Sequence, residues 1–99
     1  MVKFELENKY KNFIIKTIEN ILPDVDIFIY GSRVKGNSKE YSDVDIALQA
    51  KIDVPAEKIF QIKAVFHDST FPYKVDVIDL NSISESFFNI IKDDLVRIN

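Results

Sequence analysis

The chain contains no cysteine, which excludes disulfides, a thiolate nucleophile and any cysteine-based zinc site. Only two glycines and three prolines occur among its 99 residues, too few for a disordered or low-complexity chain. No apolar run approaches the ~18 residues that mark a membrane span. The N-terminal MVKFELENKYKNF mixes charged and apolar residues, unlike a secretory signal. Nor is there a basic excess: the net charge is −3, whereas general nucleic-acid binders carry a strong surplus of lysine and arginine. Histidine occurs once, as His67, after an apolar helical stripe where it reads as a helix-end residue. These properties predict a cytoplasmic protein, with residues 1–99 forming a single domain of ordinary size.

What is present is core material. Hydrophobic residues make up 46% of the chain, with eight Phe and four Tyr. Leu6, Tyr10, Phe13, Ile14, Thr17, Ile18 and Ile21 follow helical spacing, so a helix is expected over 5–22, ended by Pro23 and Asp24. VDIFIY at 25–30 is β-branched and aromatic and predicts a buried strand. A loop follows over 32–42, with room for one short helical turn, and Asp43 to Leu48 is a second strand. Pro55 is placed to start a helix running to about Asp68 on Ala56, Ile59, Phe60, Ile62, Val65 and Phe66. KVDVIDL at 74–80 is a third strand. Ser82 or Ser84 is positioned to cap a last helix, whose Phe87, Phe88, Ile91, Leu95 and Ile98 would share one face. The expected fold is a two-layer α/β (α+β) domain, helices on a small sheet, in the order α-β-(short helix)-β-α-β-α. The short link between the first two strands leaves little room for a crossover helix, so the sheet should be mixed.

Within this frame, IYGSRVKGNSKEYSDVDIAL at 29–48 stands out. Residues i and i+2 of a strand share a face, so Asp43 and Asp45 point one way, with Val44 and Ile46 of opposite parity. Two carboxylates ~5 Å apart at an effective dielectric of ~20 repel by about 3 kcal/mol, a cost a cation would offset. Asp76, mid-strand between Val75 and Val77, completes a set of three if the third strand lies beside the second. Such oxygen donors suit Mg²⁺ or Mn²⁺. Taken singly, each feature has a plainer reading: a solvated strand end for Asp43 and Asp45, a lysine partner or a turn cap for Asp76.

Gly31 and Ser32 follow the first strand directly. A glycine there permits close backbone approach, and exposed N–H groups with the serine hydroxyl can bind phosphate oxygens. Arg33, Lys35 and Lys39 supply positive charge nearby. The spacing is neither that of a P-loop nor that of the dinucleotide fingerprint. Alone, Gly31-Ser32 is equally a strand-to-helix turn with a serine cap. Tyr41 is placed to stack on a base or to pack, the latter being the plainer reading. The pairs Phe87-Phe88 and Ile90-Ile91 exceed the needs of one helix face and offer a partner surface or ordinary core. Asp93-Asp94 reads as a solvated face.

Together, GS, ten residues, then DVD resembles the signature of the minimal nucleotidyltransferases of the DNA polymerase β-like superfamily. Arg33, Gly36 and Ser42 extend the likeness, and KVDVIDL resembles the family's third-acid strand, with Asp76 as that acid. The resemblance covers essentially the whole chain. It implies a nucleotidyltransferase fold and metal-dependent transfer from ATP, with Asp43, Asp45 and Asp76 as catalytic and metal-binding residues and Gly31, Ser32, Arg33 and Lys35 at the triphosphate. It further implies a partner: in this family the enzyme acts as an antitoxin, transferring AMP to a tyrosine of a HEPN-family RNase toxin. Two alternatives stay open, a non-enzymatic antitoxin that masks its toxin by binding and a nucleotidyltransferase for an antibiotic or metabolite.

Overall fold

The computed structural model describes residues 6–31 and 43–99. Helix α1 (Asn8–Ile21) opens on the Glu7 carbonyl, which accepts from Tyr10 N and Lys11 N at 3.0 Å each. It buries Ile14, Thr17 and Ile18, one stripe of the predicted spacing. The chain leaves it through Pro23 and Asp24, the latter in the left-handed region at φ 63°, a conformation aspartate tolerates better than most residues. Strand β1 (Asp26–Tyr30) follows, then β2 (Val44–Gln49), helix α2 (Ala56–Asp68), strand β3 (Val75–Asp79), helix α3 (Glu85–Ile91), a 3₁₀ turn (Lys92–Asp94) and strand β4 (Val96–Arg97). The short helical turn expected within 32–42 lies outside the described residues, as do Ser32, Arg33, Lys35, Lys39 and Tyr41.

The sheet order is β3-β2-β1-β4. β1 pairs antiparallel with both β2 and β4, whereas β2 and β3, joined through α2, run parallel. The sheet is therefore mixed, as the short β1–β2 link requires. Strand parity divides the apolar residues between two faces. Ile27, Ile29, Val44, Ile46, Leu48 and Val77 pack with Ile14 and Ile18 of α1 and Ile62 and Phe66 of α2 in the main core. The other face carries a smaller cluster of Tyr30, Ala47 and Ile91, flanked by Phe28, Ile78 and Phe87, so that α3 seats there. Main core, two long helices and sheet make the principal layers; α3 covers part of the reverse side.

The last helix is shorter than its apolar spacing predicts. It ends at Ile91, and Leu95 and Ile98 do not lie on it. Leu95 packs on the reverse face whereas Val96 and Ile98 join the main core, the alternation of a strand rather than a helix stripe. The outer edge of β1 captures this segment: Ile98 N donates to Ile27 O at 2.9 Å, and Arg97 pairs with Asp26 at 2.9 Å. Ser84, not Ser82, caps α3, accepting from Phe87 N at 3.1 Å. No helix among the described residues is long and apolar enough to cross a membrane.

Candidate functional site

The strand register builds the site. Tyr30 on β1 is the cross-strand partner of Asp45 on β2, and Asp45 is the partner of Asp76 on β3. Their parity places all three on the reverse face, away from the main core. Asp43 lies just before β2, exposed, with the same parity. An open pocket of ≈ 290 Å³ is lined by Asp43, Asp45 and Asp76 together with Lys74 and Val75. The three predicted carboxylates thus share one pocket. Within it they differ: Asp45 is half-buried, and the Asp76 side chain is 54% exposed with Lys63 of α2 at 3.5 Å.

Gly31 closes the row at the β1 end. Its φ is +84°, a region glycine enters without steric cost. A Cβ built there would collide with Asp45 Oδ2 and lie 3.4 Å from Asp45 Cγ. Backbone and carboxylate therefore meet here, and only hydrogen at Cα fits between them.

The electrostatics follow from this crowding. The Asp45 carboxyl titrates above the usual carboxylate range, first through burial and then through repulsion by Asp76 and Asp43. Tyr30, 7% exposed, is pushed up to about 12 by burial, with Asp45 and Asp76 adding to it, so its phenol stays neutral at physiological pH. The pocket holds more negative charge than Lys63 offsets.

The donor set is entirely carboxylate oxygen, concentrated and incompletely neutralised, which fits a hard divalent cation. Among the described residues no three His, Asp or Glu side chains gather into a complete metal cage. That too suits Mg²⁺, which is commonly held by one or two carboxylates, waters and substrate phosphates rather than by an all-protein cage.

Three residues of local importance carry weak sequence signals. Tyr30 is legible only once β1 and β2 are paired. Lys63 sits on α2, thirteen positions before Asp76, and realises the lysine partner expected as the plain alternative. Asp79 realises the turn-cap alternative, for the other acid of KVDVIDL. It is 7% exposed, and its carboxylate accepts from Val54 N at 2.8 Å, Ser82 Oγ at 2.9 Å and Asn81 N at 3.0 Å. His67 is exposed at the end of α2, as expected.

Comparison with known proteins matches residues 8–97 to the family described as Polymerase beta, Nucleotidyltransferase. A probable protein adenylyltransferase, MntA, of Haemophilus influenzae is 38% identical over 80 residues, spanning 80% of this chain and 70% of that protein. Among solved structures, a toxin–antitoxin complex with AMP-PNP superposes with a TM-score of 0.78 at 24% identity, covering 90% of this chain and 72% of the other. A complex of a tri-AMPylated HEPN toxin with MNT antitoxin, from Shewanella oneidensis, gives 0.74 at 22% identity, covering 95% and 72%. At these identities the structural matches establish the fold.

Proposed function

Because the chain belongs to the polymerase β nucleotidyltransferase family, we propose that it transfers AMP from ATP to a tyrosine hydroxyl of a HEPN-family toxin and so neutralises it. The observation that carries this reading is the register of Asp45 against Asp76, with Gly31 in its left-handed conformation pressed against Asp45. A merely solvated strand end would not hold three carboxylates in one pocket against a glycine backbone. The MntA relative is named an adenylyltransferase, and the structurally similar antitoxin is bound to an AMPylated HEPN toxin; both support the substrate and the partner.

In the reaction the tyrosine oxygen bonds to the α-phosphorus of ATP, the bond from that phosphorus to the bridging oxygen breaks, and pyrophosphate leaves. Asp43, Asp45 and Asp76 hold Mg²⁺ or Mn²⁺, which supplies charge neutralisation for the entering and leaving oxygens. Asp76, most exposed to an incoming side chain, accepts the hydroxyl proton. The Gly31 backbone and Ser32 receive the triphosphate, with Arg33 and Lys35 balancing its charge. An ATP-dependent reaction and a cysteine-free chain fit action in the cytoplasm, and residues 1–99 act as one catalytic domain.

The test uses α-labelled ATP, Mg²⁺ and the co-expressed HEPN protein, comparing wild type with the Asp43→Asn/Asp45→Asn double variant. Label on the partner that depends on both aspartates is the expected result. Label on neither, with partner activity still suppressed by the folded variant, would replace enzymatic transfer with masking by binding. Label on a small molecule but not on protein would point to the antibiotic or metabolite alternative.

A further inference from the structure

A second cavity, of ≈ 340 Å³, opens beside the carboxylate pocket where the end of α2 meets the start of β3. Its aromatic wall is Phe66, Phe71 and Tyr73, and its rim carries Lys63, His67 and Lys74. The rings brace one another edge to face, with centroids 5.2 Å apart for Phe66–Phe71 and 5.7 Å for Phe71–Tyr73. Lys74 and Val75 line both cavities, and Lys63 reaches from this one to Asp76. The two spaces therefore join at the Asp76 end of the row. In a chain of net charge −3, two lysines and a histidine around one aromatic hollow make a local positive site.

The row across the sheet also has a direction. Gly31 stands at the β1 side, Asp45 in the middle and Asp76 on the β3 edge. If the triphosphate sits at Gly31, an in-line displacement requires the entering oxygen to come from the side opposite the leaving pyrophosphate. That side is Asp76 and the cavity beyond it. We propose that this cavity is the acceptor subsite and that it takes an acidic, tyrosine-bearing segment of the partner protein. The inference rests on the proposed AMP transfer for its donor-to-acceptor direction. The tyrosine ring packs against Phe71 and Tyr73 while its hydroxyl reaches Asp76, and flanking carboxylates pair with Lys74 and the His67 side.

The experiment titrates the ¹⁵N-labelled chain with two pentapeptides, EDYED and KKYKK, with and without Mg²⁺ and AMP-PNP. EDYED should shift the amides of Lys63, Phe71, Tyr73 and Lys74, and KKYKK should leave them in place. Lys74→Glu should weaken EDYED roughly fivefold or more, because it replaces an attractive pair by a repulsive one. His67→Glu lines only the aromatic cavity and should weaken it in the same direction; circular dichroism confirms that both variants fold. Mg²⁺ with AMP-PNP should leave EDYED seated. Displacement of EDYED by AMP-PNP would make the cavity the base subsite and overturn the proposal. Shifts confined to other residues, or none at millimolar peptide, would overturn it as well. AMP transfer to the HEPN protein is scored separately: transfer with no peptide in the cavity refutes the subsite alone, and a seated peptide without transfer refutes the transfer.

Discussion

Replacing Asp45 by asparagine should stabilise the protein while abolishing transfer. The half-buried Asp45 carboxylate faces Asp76 from the neighbouring strand and has Asp43 two residues away. Adjacent strands lie ~4.8 Å apart, so the Asp45–Asp76 repulsion is about 3 kcal/mol at an effective dielectric of ~20 and under ~1 kcal/mol in bulk water. Solvent exposure of Asp76 and the Lys63 contact at 3.5 Å move the value toward the lower end, and a net gain of about 1 kcal/mol is expected on removing the charge. For a domain of ~100 residues that corresponds to a rise of about 4–8 °C in Tm. The pH dependence fixes the sign. Asp45 has a raised pKa in the folded state, so the native protein binds this proton more tightly than the unfolded chain does. Stability from this group is therefore present at low pH and lost as pH rises from the ordinary carboxylate range through the raised value. The variant should accordingly match wild type near pH ~4 and exceed it increasingly toward neutrality. Thermal denaturation in chelator-treated buffer at several pH values measures this, with AMP transfer assayed in parallel. A variant that melts below wild type at pH ~7 would refute the electrostatic account.

Three further outcomes follow from the same geometry. Gly31→Ala places a methyl group on Asp45 in a left-handed backbone; it should cost about 1–3 kcal/mol and remove transfer, and a variant with wild-type urea midpoint and activity would contradict this. Asp79→Ala leaves the N–H of Val54 without its acceptor and should lower stability by about 2–4 kcal/mol, read as a fall in the urea midpoint that Mg²⁺ does not selectively restore. Mg²⁺ should raise the Tm of wild type by mass action and that of Asp45→Asn far less. Since protons compete for the raised-pKa Asp45, the Mg²⁺-induced rise should shrink as pH falls through about 5; a rise independent of pH would place the cation elsewhere.

Much of this was legible in the sequence because the deciding signals are local. The helical spacing from Leu6 to Ile21 and the β-branched run before Gly31 each identify an element without tertiary context. The parity of Asp43 and Asp45 likewise fixes their common face once a strand is assigned. The C-terminal segment was misread for the converse reason. Phe87, Ile91, Leu95 and Ile98 satisfy helical spacing, but the open edge of β1 offers hydrogen bonds that a sequence window does not contain. Asn99 shows the same long-range control, accepting from Ile27 N at 2.9 Å and donating to Val25 O at 2.8 Å. Tyr30 and Lys63 escaped for a similar reason, since their place beside the carboxylates depends on strand pairing and on how α2 lies over β3.

β3 concentrates the division of labour in five residues. Asp76 and Asp79 are three positions apart, an odd separation, so a strand must send them to opposite faces. Asp79 goes toward the main core, where Val54 N and Ser82 Oγ, with Asn81 N from the turn, satisfy its oxygens. Asp76 goes to the reverse face, where α3 covers only part of the sheet and the carboxylate row stays open. A register slip of one residue against β2 would exchange these environments, placing Asp76 in the core without donors and exposing Asp79's partners unpaired. The buried, fully hydrogen-bonded Asp79 therefore fixes the register that brings Asp76 opposite Asp45. On this argument its stability contribution and the geometry of the site are one constraint, so loosening the first should misplace the second even where the three site carboxylates are unchanged.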